Sequence, residues 1–181
     1  MSKSMRYVAF LRGINVGGSH KVPMADLRKE MSNLGYKNVN TLLNSGNVIF
    51  DASTGAVQNL AENISNHLEQ VFGFRVPVLV RSVENIFNLI DHDPFKQIEL
   101  TNDLRFYVSF LQENPKVEIT LPWSAEDESF RILEIRDKVI CSVLDLSVTK
   151  TTKGMKLLEH MFGKNLTTRN WNTVLKLGNK I

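Results

Sequence analysis

The pattern of hydrophobic and polar positions in residues 1–82 predicts six elements in the order β-α-β-β-α-β. Residues 5–12 alternate and are rich in aromatic and branched side chains, which indicates a strand. A helical spacing of apolar residues follows from Pro23 to Gly35, and two short β-rich runs then flank a turn at residues 44–47. A second amphipathic helix ends at Gly73, and the proline-containing run RVPVLVR predicts an edge strand. This order is that of the ferredoxin-like split βαβ arrangement.

The second half of the chain carries a weaker copy of the same pattern. YVAFL at residues 7–11 returns as YVSFL at residues 107–111, with four of five positions identical. A second hairpin, FRILEI and VICSVL, and a further helix come later, but a long acidic linker precedes the hairpin. We therefore expect the first helix of the copy to be short or missing. The prediction is an α+β protein of two ferredoxin-like subdomains, residues 1–82 and 83–181, the second degraded.

Composition changes this picture little and mainly excludes classes of protein. The 181 residues, 43% of them hydrophobic, suffice for one core or for two small ones. The one cysteine, Cys141, lies in an apolar run, which predicts a buried thiol and no disulfide framework. The apolar runs are too short for a signal peptide or a membrane span. The sequence thus predicts a cytoplasmic protein without a membrane partner.

Charge is distributed unevenly along the chain. Residues 1–82 contain nine basic and five acidic side chains, residues 83–145 contain six and 13, and residues 146–181 contain seven and one. The basic first and last segments favour anionic partners, such as a nucleotide, RNA or another anionic small molecule. A mixed solvated surface explains the same distribution, so this alternative stays open.

The glycine-rich stretch RGINVGGSHK, between the first strand and the first helix, is the main candidate for chemistry. It is not a P-loop, because Lys21 is displaced by two positions, and Asn15 breaks the dinucleotide fingerprint. Backbone N–H groups freed by glycine can still converge on an anion, with Arg12 and Lys21 supplying charge. Alternatively, Gly17 and Gly18 only supply the positive φ of a turn, and Asn15 caps the loop from inside.

Two threonine-rich stretches, TTKG at 151–154 and TTRN at 167–170, precede apolar helical patterns. Threonine is a natural N-cap there, and a helix start with a hydroxyl and a cation is also an anion site. We expect the Arg12 loop, the Ser45 hairpin and the Thr168 helix start to line one cleft. The predicted ligand-binding residues are Arg12, Gly13, Asn15, Gly17, Gly18, Lys21, Ser45, Asn47, Thr167, Thr168, Arg169 and Asn170.

The sequence offers little support for catalysis. The histidines have no metal-ligand spacing, so no metal or cofactor is predicted, and His20 is the one acid–base candidate in sequence reach of the loop. A nucleophilic Ser45 would need a base that the sequence does not identify. Whether the protein is an enzyme therefore stays open.

The motifs YVAFLRGINVGG, SGNVIF and TTRNWNTVLKL together resemble an uncharacterised bacterial family, domain of unknown function 1697, over nearly the whole chain. The resemblance implies two α+β subdomains and no established activity. Asn44 stands where such proteins usually have glutamine, and KTTKGMK departs from a shorter Arg-Ser-Lys pattern. Lys150 and Lys153 are therefore not included among the candidates.

The leading hypothesis is a cytosolic protein that binds a phosphate-bearing ligand, nucleotide or RNA, through loop and helix N-terminus sites. One alternative is an enzyme acting on a small phosphorylated or carboxylated metabolite. The other is a protein-interaction module built on the acidic segment 83–145. RNA binding on a sheet face is disfavoured, because the third strand offers only Phe50 for base stacking.

Overall fold

The computed structural model describes residues 4–181, which form two compact units. The first runs to Phe87 and includes Ile181, and the second comprises Asn88–Lys180. Each unit contains one antiparallel sheet with helices beside it. The predicted α+β class is confirmed.

The first unit has the element order expected from the sequence. Its sheet has the strand order β2-β3-β1-β4, the order of the split βαβ arrangement, and β4 is an edge strand, as Pro77 immediately before it suggested. Its elements are β1 (Ser4–Leu11), α1 (Met24–Asn33), β2 (Lys37–Leu42), β3 (Asn47–Ser53), α2 (Val57–Phe72) and β4 (Val78–Ser82), followed by α3 (Val83–His92).

Helices α1 and α2 cover the same face of this sheet. Leu27 and Met31 of α1 and Ile64 and Leu68 of α2 join one core with Tyr7, Ala9 and Leu11 of β1. The alternate residues of β1, Val8 and Phe10, are also fully buried. This strand therefore presents no exposed aromatic ring on either face, and the expectation that RNA does not bind a sheet face stays a prediction.

The second unit repeats the arrangement around β5. Its sheet has the order β6-β7-β8-β5-β9, so β5 lies between a hairpin strand and a later strand, as β1 does. Between β5 and β7 the unit has no helix, as the long linker predicted. Its elements are β5 (Leu104–Leu111), β6 (Trp123–Ser124), β7 (Phe130–Arg136), β8 (Val139–Asp145), α4 (Thr151–Phe162), β9 (Leu166–Asn170) and α5 (Trp171–Lys180).

The threonines of the two threonine-rich stretches do not cap helices as predicted. TTRN belongs to strand β9, which pairs with β5 in the register Ser109 opposite Thr168. In the other stretch the threonines occupy the first turn of α4, and the cap position is Lys150, which makes no side-chain cap bond. Threonine is favoured in strands as well as at helix caps, and in the TTRN stretch the pairing with β5 stabilises the strand.

Candidate functional site

The glycine loop is a small β-hairpin. Val16 pairs with Ser19 across the loop, and Gly17 and Gly18 between them have φ of 60° and 80°. Two consecutive residues with positive φ are the pattern of a type I′ turn, for which Gly-Gly is well suited. The Ser19 N–H donates to the Val16 carbonyl at 3.3 Å. The turn accounts for both glycines without a ligand.

Asn15 holds this hairpin from inside. Its amide nitrogen donates to the carbonyls of Val22 (3.0 Å) and Asn44 (2.9 Å), and its Oδ1 accepts the Val22 N–H at 2.8 Å. The side chain predicted to contact a ligand is thus engaged in bonds within the protein. These bonds support the alternative interpretation, in which Asn15 caps the loop.

The hairpin turn that contains Ser45 lies against the base of the glycine loop. The Leu11 N–H donates to the Gly46 carbonyl at 2.8 Å. Asn47 is buried, and its amide donates to the Leu42 carbonyl (2.9 Å) and to Ser45 Oγ (3.0 Å). The structure therefore brings the two predicted motifs of the first unit together, and their polar side chains help to hold the turns.

The remaining candidates of the loop differ in exposure. Gly13 and Lys21 are exposed, whereas Arg12 is half-buried. The backbone N–H of Arg12 donates to the Pro77 carbonyl at 2.9 Å. The ring of His20 stacks on Phe74 with centroids 4.5 Å apart. Ligand binding by these residues stays a prediction.

The candidates near residue 168 belong to the second unit. Thr168 is half-buried, and its hydroxyl lies 2.7 Å from that of the fully buried Ser109. Arg169 is only 9% exposed, and burial lowers the pKa of its guanidinium to about 10. Its Nη1 donates to Thr167 Oγ1 and to the Thr168 carbonyl. Arg169 is thus a buried strand residue and not the exposed cation expected at a helix start. The cleft expected from Arg12, Ser45 and Thr168 stays a prediction.

A cavity of about 540 Å³ in the second unit combines aromatic, amide and charged side chains. The nearly buried rings of Phe95 and Phe106 stack at 4.7 Å and 6°, and Trp171 lies tilted at 5.3 Å from Phe95. These rings form a rigid wall. The polar side chains that line the cavity are Asp93, Thr101, Asn102, Arg105, Asn170 and Asn172.

Arg105 and Asp93 are held in place by backbone groups. Arg105 Nη1 donates to the carbonyls of Asn102 and Leu104, both at 2.8 Å, which fixes the plane of the guanidinium. Asp93 Oδ1 accepts the Phe95 N–H at 3.2 Å. Within residues 4–181, neither side chain forms an ion pair, so both keep hydrogen-bonding groups for a ligand.

Helix α5 begins at the cavity. Its first residues, Trp171 and Asn172, line the wall, and Asn170 Oδ1 caps the helix by accepting the Asn172 N–H at 2.9 Å. The N-terminal end of a helix carries a partial positive charge, which adds to that of Arg105. The helix start expected at Thr168 therefore lies at Trp171, three residues further along the chain.

Comparison with known proteins agrees with this architecture. Residues 5–140 match the model of the family described as "Protein of unknown function (DUF1697)". The chain belongs to this family. A solved structure of a conserved bacterial protein from Streptococcus pneumoniae is similar to the DUF1697 chain at 25% sequence identity, with a TM-score of 0.75 and 98% of each chain covered. No curated protein matches it.

Two further classes of feature are absent from the part of the DUF1697 chain that the structure describes. Residues 4–181 contain no helix with the length and hydrophobicity needed to cross a bilayer. The same residues hold no group of three or more histidine, cysteine or acidic side chains placed to bind a metal ion. The single thiol, Cys141, is buried, and burial raises its pKa well above the usual value, as expected of an inert cysteine.

The sequence interpretation missed most of the cavity of this DUF1697 chain. Asn170 was a candidate, but Phe95, Arg105 and Asn102 were not, because they lie far from it in sequence. One signal was available: TRNWNT places amides on both sides of a tryptophan, which suits a pocket better than a core.

Proposed function

We propose that the chain is a binding protein for a nucleotide-like ligand, with a planar polar ring and a phosphate, held in the second-unit cavity that contains Arg105 and Trp171. The observation that carries the proposal is the combination, in one cavity of about 540 Å³, of an aromatic wall, three amide side chains and an arginine that forms no ion pair within residues 4–181. This volume lies within the range of small-molecule sites.

Each part of such a ligand has a counterpart in the wall. Asn102, Asn170 and Asn172 offer both donors and acceptors, which suit the edge of a base. Arg105 and the start of α5 suit a phosphate, because a guanidinium binds phosphate oxygens well and a helix N-terminus favours an anion. The glycine hairpin is not part of this proposal, since its turn explains its glycines. We propose a cytosolic site of action, where nucleotides are present.

The test compares nucleotides with the matching nucleosides by calorimetry. AMP and GMP should bind more tightly than adenosine and guanosine, and the Arg105→Gln substitution should weaken nucleotide binding about tenfold or more. Nucleoside binding should change little, because the nucleoside lacks the group that Arg105 contacts.

Arg136→Gln is the matched control, since Arg136 is an exposed arginine of the same unit outside the cavity. It should leave binding unchanged. The melting temperature of each variant without ligand shows whether folding is intact. The proposal is wrong if no nucleotide gives saturable binding, or if Arg105→Gln weakens nucleoside and nucleotide equally.

A further inference from the structure

The second unit contains another cavity, of about 570 Å³, lined on one side by helix α4 and on the other by the segment before β7. Trp123, Ala125, Phe130 and Leu157 give it a mainly apolar wall. None of its lining residues belongs to the cavity proposed for the nucleotide. It is therefore a separate candidate site.

Comparison of the two repeats explains why this space exists. In the first unit, the connection from β1 to β2 forms α1, and its Leu27 and Met31 fill the core. In the second unit, the corresponding connection from β5 to β7 has no helix, and its residues Trp123 and Ala125 form part of the cavity wall. The second unit lacks the apolar side chains that a helix would have supplied here, so apolar surface stays accessible.

The rim of the cavity carries charge of both signs. Lys153 lies 3.7 Å from Asp127, whose Oδ1 accepts from the Ser129 hydroxyl (2.6 Å) and N–H (3.1 Å). These bonds, with the charge of Lys153, hold the pKa of the Asp127 carboxyl below its usual value. The Asp127 carboxylate is therefore ionised at neutral pH and already engaged by Ser129 and Lys153. Lys156 is exposed and takes part in no ion pair within residues 4–181.

We propose that this cavity binds a small amphiphilic carboxylate, with its hydrocarbon part against Trp123 and Leu157 and its carboxylate on Lys156. The apolar wall favours burial of a hydrocarbon, which gains free energy with each methylene removed from water. The ammonium of Lys156 is the rim cation that no acidic side chain of the described chain already engages. Glu126, also on the rim, weakens the site by repulsion.

The first experiment locates the site with octanoate as the probe and intrinsic fluorescence as the readout. Octanoate should change the fluorescence saturably, because Trp123 lies in the wall. The Trp123→Phe variant, whose remaining tryptophan is Trp171, should lose the change. The proposal is overturned if octanoate gives no saturable change, or if the full change persists in this variant.

The second experiment tests the carboxylate contact. Lys156→Ala should weaken octanoate binding about two- to five-fold, the range of an exposed ion pair, and leave binding of octan-1-ol unchanged. Lys176→Ala, an exposed lysine of α5, should change neither. Glu126→Gln should strengthen octanoate binding. Equal effects of Lys156→Ala on acid and alcohol would overturn the assigned contact.

Discussion

At the scale of single residues, the glycine loop depends on one asparagine. Asn15 itself has a φ of 56°, a conformation that asparagine tolerates better than most residues, and its side chain makes three hydrogen bonds to the backbone. One of these bonds reaches Asn44, in the neighbouring hairpin turn. The conformation of the loop is therefore fixed by contacts within the first unit.

Replacing Asn15 by alanine should lower the free energy of unfolding by about 2–3 kcal/mol, because it removes these bonds and leaves a strained backbone. Asn44→Ala is the control: Asn44 contributes its carbonyl, which alanine retains, so stability should change by less than about 0.5 kcal/mol. Urea unfolding of both variants measures the difference. Similar small losses of stability in the two variants would contradict the conclusion that the Asn15 side chain holds the loop in place.

Two glycines with positive φ should respond differently to substitution. A Cβ on Gly46 would lie 2.7 Å from Leu11 Cβ and 2.8 Å from Ile14 Cδ1, whereas a Cβ on Gly17 meets nothing within 4 Å. Gly17→Ala should cost about 1 kcal/mol from backbone strain alone. Gly46→Ala should cost about 1–3 kcal/mol more, since Leu11 and Ile14 must move. Thermal unfolding of the two variants tests whether Gly46→Ala is the more destabilising. Equal losses would show that only the strain of the positive φ matters and that the contacts with Leu11 and Ile14 do not.

At the scale of elements, three adjacent strands of the first sheet are joined by one carboxylate. Asp51 on β3 accepts from Arg6 on β1 through Nε (2.7 Å) and Nη2 (3.1 Å), and from Asn38 on β2 (2.6 Å). The hydrogen bond from Arg6 is the largest cause that lowers the pKa of Asp51. Three strands thus share one ionised group.

This arrangement predicts a pH dependence of stability. A carboxyl whose pKa is lower in the folded protein stabilises the fold above its unfolded pKa, near 3.8, and this contribution is lost as the pH falls through the folded value. The free energy of unfolding should therefore decrease below about pH 4 more steeply in the parent than in Asp51→Asn. Parallel curves for the two proteins would show that Asp51 contributes nothing.

Sequence periodicity identified the elements with strong apolar patterns and missed β6 and β9, which lack such a pattern. The stripe through Leu60, Ile64 and Leu68 predicted α2, and Gly73, with a φ of 77°, ends it as expected. Strand β9 reads LTTRN, with one apolar residue, and its strand character depends on pairing with β5. Contacts between residues so distant in sequence cannot be read from local pattern.

At the scale of the whole molecule, the two units are similar repeats with different central residues. Ala9 of YVAFL lies between Val48 and Val80 in an apolar core. Its counterpart Ser109, in YVSFL, is also fully buried but bonds with Thr168. The short repeat therefore predicted the duplicated architecture, whereas the cavity beside Trp123 lies where the copies diverge and could not be predicted from it.

Exchange of this central residue should destabilise either unit. Ala9→Ser should cost about 1–3 kcal/mol, because the new hydroxyl is buried among valines without a partner. Ser109→Ala should cost about 1 kcal/mol or more, since Thr168 loses its partner. The double variant Ser109→Ala, Thr168→Val should recover most of that loss, as both polar groups are gone. Denaturant unfolding measures all three, and no recovery in the double variant would contradict this account.

The central positions of β1 and β5 also determine when each sheet can close during synthesis. Strand β1 pairs with β4, which is complete at Ser82, so all four strands of the first sheet are available while the ribosome is still making the second unit. Strand β5 waits for β9, since Ser109 meets a partner 59 residues later. A nascent chain that stalls in this interval carries the complete set of strands of the first sheet and a strand β5 with an unpaired edge. Such intermediates are prone to aggregate and are natural clients of chaperones.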